Sequence, residues 1–163
     1  FTRSYKHSLY NNDILFWRIS CTNTTHINQF LELAMSKFSD YLETKILDST
    51  LRGVAFPSIA TAYLAVFIGD PTDAASGGAE GSWTNYARQA MAFGAVSGGA
   101  VNSSTQIQFP ALVGSNVTIS HIGIFDAAAS GNMLYHTNLA TSKTLTADDV
   151  LSFAVNGVTV TLD

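Results

Sequence analysis

Charge is what this sequence has least of. Only 12% of its 163 residues are Asp, Glu, Lys or Arg, while 47% are apolar. That balance excludes a disordered chain, which lives on charge and poverty of apolar residues, and points to much buried or subunit-covered surface. Basic residues thin out further along the chain. Beyond Gly53 they number two, Arg88 and Lys143, against Asp70, Asp73, Glu80, Asp126, Asp148, Asp149 and Asp163. Nucleic-acid binding needs cations to neutralise phosphates, so that class of partner is excluded. Cysteine is nearly absent too: Cys21 stands alone and makes no internal disulfide. No apolar run approaches the ~18 residues of a membrane span. The early run Ile14-Leu-Phe-Trp17 is cut short by Arg18 and is no signal peptide.

Catalytic motifs are missing as well. There is no G-x-S-x-G elbow, and the glycine pair Gly98-Gly99 lacks the lysine and following helix of a phosphate-binding loop. The carboxylates are too few and too loop-bound to nominate a glycosidase pair. The expectation is a non-enzymatic protein with no catalytic, cofactor-binding or metal residues. No repeat of useful length is visible.

What is present is organised around Val117–Leu139. Val117, Ile119, His121, Gly123 and Phe125 alternate with Thr118, Ser120, Ile122 and Ile124, so the strand begins with one polar face and ends apolar on both. Asp126 and Gly131-Asn132 supply turn chemistry, and Met133–Thr137 returns as the partner strand. Upstream, Lys37–Leu51 has helical periodicity, with Phe38, Leu42, Ile46 and Leu47 on one side and Lys37, Asp40, Glu43 and Asp48 on the other. Arg52 suits the carbonyl end of the dipole, and Gly53 is a plausible C′ residue. Further strands are expected at Ala60–Ile68, Tyr86–Phe93, Thr105–Phe109, Ser142–Leu145 and Val150–Val155. Gly69–Gly78 and Gly94–Asn102 read as loops. Asn156-Gly157 predicts a type I′ hairpin leading into Val158–Leu162. Strands every 8–15 residues without βαβ alternation predict a mainly β fold, an antiparallel β-sandwich (jelly-roll-like or barrel) preceded by one amphipathic N-terminal helix. The expected division is an extension (1–34), a helix (35–53) and a β-sandwich domain (54–163).

Residues 1–34 have two readings. Met35 opens MSKFSDYLETKIL like an ordinary protein start, and Leu31-Glu32 can be encoded with a GGAG core at ribosome-binding distance, so the segment reads as an upstream frame translated by accident. Alternatively Ile27, Leu31, Ala34, Phe38, Leu42 and Ile46 form one apolar stripe, with Thr25 as N-cap of a helix from about His26 to Leu51.

Several side chains are candidates for a site. Asp70, Asp73 and Glu80 share a glycine-rich loop with the hard oxygens Ca²⁺ prefers, but their spacing matches no EF-hand. His121 and His136 fall on facing strands; with Cys21 far off they lack the ligand count zinc needs and read as hydrogen-bonded sheet histidines. Arg88, alone in an apolar stretch, is expected to pair with Glu80 or Asp126 in partial burial. Trp83, beside the Gly77–Ser82 loop, is the sole nominee for stacking on a sugar and otherwise a packing anchor. Phe38, Leu42 and Ile46 are candidate docking contacts if the helix faces outward.

With those residues in view, Met35–Asp163 resembles a family of small bacteriophage virion proteins labelled phage tail fibre proteins. The matching pieces are FSDYLETKILDSTLRG (38–53), AYLAVFIGDPTD (62–73), YARQAMAF (86–93), QIQFPA (106–111), ISHIGIFDAAASGNMLYHTNLATSKTL (119–145) and VTVTL (158–162). Tyr86-Ala87-Arg88 followed by Gly123-Ile124-Phe125-Asp126 is the most distinctive pair. Residues 1–34 lie outside the resemblance. It implies a structural, non-enzymatic role in the phage particle, with other tail or capsid proteins and copies of the chain as partners. A homotrimer is the arrangement expected by analogy. The alternatives are a capsid decoration (cement) protein and a module binding a host-surface glycan receptor.

Overall fold

The computed structural model describes residues 17–22, 29–33 and 37–162. In chain order, β1 (Trp17–Thr22), β2 (Gln29–Leu33) and β3 (Lys37–Phe38) precede the helix α1 (Asp40–Arg52), the only one among the described residues. β4 (Ala62–Ile68), β5 (Ala79–Glu80), β6 (Gln89–Met91), β7 (Ala100–Asn102) and β8 (Ile107–Gln108) follow. The long strands β9 (Val117–Phe125), β10 (Met133–Leu145) and β11 (Ser152–Thr161) complete the chain. They form two antiparallel sheets. One has the order β3-β10-β9-β4-β5, with β6 also on β4; the other runs β2-β1-β11-β7, with β8 also on β11. The mainly β, sandwich-like fold after one helix is the one the periodicities predicted.

The helix begins three residues later than its periodicity suggests. Lys37 and Phe38 pair with His136 and Tyr135 of β10 instead. Ser39 then caps the helix: its hydroxyl accepts from Leu42 N–H (3.2 Å) and donates to the Met133 carbonyl. Gly53 closes the other end in the left-handed region (φ 69°), as its position predicted. Leu42 is buried, while Phe38 and Ile46 pack partly buried on the core, and Phe38 lies 5.5 Å from the Tyr135 ring. The face nominated for docking is therefore turned inward, and the helix caps the sandwich. The exposed apolar residues of the helix are Leu47 and Leu51. A continuous helix from His26 is excluded by β2, because Gln29–Leu33 is extended and paired with β1. Thr25 lies outside the described residues.

Two long strands replace four predicted short ones. Met133–Thr137 and Ser142–Leu145 belong to one strand, β10, which follows β9 through an irregularity. The pairs His121↔Asn138 and Ile119↔Lys143 advance two residues on β9 against five on β10. Across that irregularity Ile119 joins Ile122 and Ile124 in the main core, although simple alternation sets it apart. Likewise Asn156-Gly157 makes no hairpin. Asn156 takes a positive φ (59°) inside continuous β11, and its N–H donates to the Ser103 carbonyl. β1 pairs with residues on both sides of Asn156, while along the other edge β8 pairs before it and β7 after it. The left-handed propensity that makes Asn-Gly a turn signal serves here to bulge a strand. Of the predicted Tyr86–Phe93 strand only Gln89–Met91 pairs with β4. Thr105–Phe109 contracts to β8, and the expected Gly94–Asn102 loop contains β7.

The main core lies between the sheets. Leu64, Val66, Ile122 and Ile124 come from one sheet, Ile107, Phe153, Val158 and Val160 from the other. A second, smaller cluster of Ala65, Phe67, Phe125 and Met133 covers the outer face of the first sheet. β4 and the end of β9 are consequently buried on both faces, as the doubly apolar half of β9 predicted.

Candidate functional site

The outer face of the larger sheet collects most of the polar residues singled out above. Tyr86-Ala87-Arg88 is irregular, which frees Arg88 to lie across the second cluster. Its guanidinium carbon sits 3.5 Å from the centre of the Phe125 ring. Nε donates to Glu80 Oε1 (2.9 Å) and an Nη to Oε2 (2.8 Å), a fork-on-carboxylate pair. The other Nη donates to the carbonyls of Ala127 (3.1 Å) and Ser130 (2.6 Å), in the tip between β9 and β10. Of the two partners foreseen, Glu80 is the one used. Asp126 instead accepts from the Asn132 amide and backbone, closing its own turn, with Ser130 and Gly131 at positive φ. The Tyr86 hydroxyl donates to Glu80 Oε1 and accepts from Val66 N–H. Burial, with the neighbouring Glu80 charge, pushes its phenol far above the ordinary tyrosine range.

A few residues along, the Gly69–Gly78 loop folds back over the sheet. His136 is buried with a carboxylate at each ring nitrogen: Nε2 lies 2.8 Å from Asp73 Oδ1 and Nδ1 3.5 Å from Asp70 Oδ1. Asp70 Oδ1 also accepts from Thr72 N–H (2.9 Å), which with the two histidines holds its carboxyl below the ordinary range despite some burial. His121 bonds Ser120 Oγ through Nδ1 (2.9 Å), and that hydroxyl accepts from Gly69 N–H (2.8 Å). Burial lowers the His121 pKa, while Asp70 opposes it.

The three loop acids considered for calcium are thus parted. Asp70 and Asp73 bind His136; Glu80 binds Arg88. Among the described residues no group of three His, Cys, Asp or Glu is arranged to hold a metal. The Ser–His and Asp–His hydrogen bonds fall on different rings, Ser120–His121 and Asp73–His136, so no relay connects them. Each polar group is spent on tying a loop to the sheet. Burial of His136 was not foreseeable, since its partners lie more than 60 residues upstream.

Trp83 heads a row of aromatic rings. It meets Tyr86 edge-on at 4.7 Å, Tyr86 stacks on Phe109 at 5.9 Å, and Phe109 contacts Phe153 at 6.4 Å. A cleft of about 260 Å³ opens beside it, lined also by Ser82, Thr84, Ser115 and Asn116. The indole N–H is buried without a partner, so it does not reach into that cleft. Packing anchor is the role this geometry fits.

Residues 37–161 match the family described as podophage GP4 fiber I protein gp80. The chain belongs to that family. No curated protein matches it. The matched span of the fibre family takes in α1 and every strand from β3 to β11, and leaves β1 and β2 outside. It covers the Arg88 clamp and the His136 clamp alike. As a member of a podophage fibre family, the chain is a phage fibre-type structural protein and a component of the virion.

Proposed function

We propose that this fibre protein is a non-enzymatic surface module that acts by associating with copies of itself, as a closed homotrimer, and by docking on other proteins of the particle. The carrying observation is the contrast between its polar and apolar residues. The ionisable groups on the outer sheet face bond one another, whereas the large apolar side chains Leu47, Leu51, Val54, Phe56 and Ile59 stay exposed. Such surface is what a subunit interface needs and a catalytic cleft does not. No catalytic, cofactor or metal residue is assigned. The same reading divides the chain into an extension (1–34), a helical segment (35–53) and the sandwich domain (54–163). An intact mass of protein isolated from particles tests the first boundary: a native chain carrying Phe1 overturns the accidental-frame reading.

Immunogold electron microscopy of intact particles, with antibody against residues 35–163, tests the assignment. Label confined to the tail or its tip is expected. Label spread over the head makes the protein a capsid decoration subunit, whose added contacts stabilise the shell by mass action. Particles without label, despite protein in the lysate, overturn the virion role. Receptor binding through Trp83 is a separate question, answered by a glycan array with Trp83→Ala as control.

A further inference from the structure

One end of the sandwich is open. Between the sheets lies an apolar groove of about 560 Å³, floored by Met91, Ile124 and Leu134 from one sheet and Val101 and Val160 from the other. It is as large as sites that take a small molecule or several side chains. Ile59 and Val96 stand at its mouth. All the residues lining it are uncharged, because they come from charge-free stretches, 53–69 and 89–116 among them. Next to it in the chain runs the segment 51–61, exposed at every position. After Val54, whose N–H caps the helix through Asp48, no hydrogen bond joins residues 55–61 to the described chain. This arm, helical as far as Arg52 and irregular beyond, carries Leu51, Val54, Phe56 and Ile59, and Leu47 precedes it on the helix.

We infer that the arm of one copy, with Phe56 leading, occupies the sandwich-end groove of a second copy of this chain. The inference rests on the self-assembly reading above and names its contact. Area supports it. Leu47, Leu51, Val54, Phe56, Ile59 and Val96 together expose about three whole side chains' worth of surface, on the order of 600 Å². That is at the top of the ~300–600 Å² patch of an ordinary monomer and close to the ~800 Å² per partner of a stable interface. Charge supports it as well: interface centres are depleted of charged residues, and the sole charge in the arm, Arg52, is paired with Asp48 on its own helix. Ile59 lies where the arm meets the groove mouth of its own copy, but Leu51, Val54 and Phe56 stand outside the groove lining, so their seating in a second copy is a head-to-tail contact. Such a contact closes into a ring when the rotation permits, which is how a trimer forms.

The test uses two single substitutions on the full chain. Phe56→Glu spoils the arm and leaves the groove; Ala92→Arg plugs the groove mouth and leaves the arm. Both sites are exposed, and unchanged circular dichroism and melting of each variant establish that it folds. Light scattering and sedimentation are expected to show a closed assembly for the wild type. Each variant should weaken association by at least ~30-fold, the effect of losing a hot-spot side chain. An equimolar mixture of the two should form 1:1 pairs and nothing larger, because one intact arm then meets one intact groove. Variants that fold and still assemble overturn this contact while self-assembly stands. Variants that dissociate but do not pair when mixed overturn the arm-in-groove geometry. A wild type that stays monomeric overturns self-assembly itself, and uptake of an apolar dye by that monomer, blocked by Ala92→Arg, assigns the groove to a small ligand instead.

Discussion

Arg88 is held by Glu80, two carbonyls and the face of Phe125, and all of these were brought to it by folding. Arg88→Met keeps the length of the side chain and removes the fork. Glu80 then loses its cation beside a buried cluster and keeps the Tyr86 hydroxyl as a donor. We expect a loss of about 3 kcal/mol in denaturant unfolding, at the low end for breaking a buried pair because Glu80 keeps some solvent contact. Lysine at this position should recover little, since an ammonium cannot bridge a carboxylate and two carbonyls at once. At the same scale, His121 and Asp70 make the protein acid-sensitive. His121 is depressed below its ordinary 6.5 by burial, facing Asp70, His136 and Lys37. The unfolded chain therefore takes up its proton first as pH falls, and stability declines from about pH 6.5 downward until the folded pKa is passed. Asp70, depressed below 3.8, contributes stability that is present above that value and lost through its folded pKa. Melting curves from pH 8 to 4 for the wild type and His121→Gln should differ in slope below pH 6.5, the variant being flatter.

At the level of elements, caps and bulges carry the testable content. Ser39 is buried and serves two partners, the helix through Leu42 N–H and β10 through the Met133 carbonyl. Ser39→Ala removes both, and about 1–2 kcal/mol is the expected cost by chemical denaturation. Asn156→Val places a β-branched residue at φ 59° within β11 and should cost about 1–2 kcal/mol, whereas Asn156→Gly should be nearly neutral. The helix itself was legible because amphipathic spacing, Gly53 and Arg52 are local signals. Its first turn was misplaced because Lys37 and Phe38 look equally helical in sequence; pairing with β10 decides otherwise. Asn156-Gly157 misled for a related reason. Local chemistry establishes that a residue can adopt positive φ, and the neighbouring strands establish whether that makes a turn or a bulge.

For the molecule as a whole, the body and the apolar arm should respond differently to truncation. Phe153 is fully buried at the end of the aromatic row, so Phe153→Ala is expected to cost about 3–5 kcal/mol of global stability by denaturant titration. Leu51, 78% exposed, should leave the stability of the single chain within about 0.5 kcal/mol on change to Ala. By itself the sequence determined the fold class, the existence of the helix, the central hairpin and the absence of catalytic motifs. Each of these follows from composition or from periods of two and 3.6 residues, which act over short distances. Only the tertiary structure decided that Asp70 and Asp73 part from Glu80 to clasp His136, that Arg88 chooses Glu80 over Asp126, and that the helix turns Leu42 inward while Leu51 stays outside. Those outcomes depend on which strands become neighbours across gaps of up to 94 residues, as between Ser39 and Met133. Pairing at that separation is set by the shared burial of the whole core, and no local pattern encodes it.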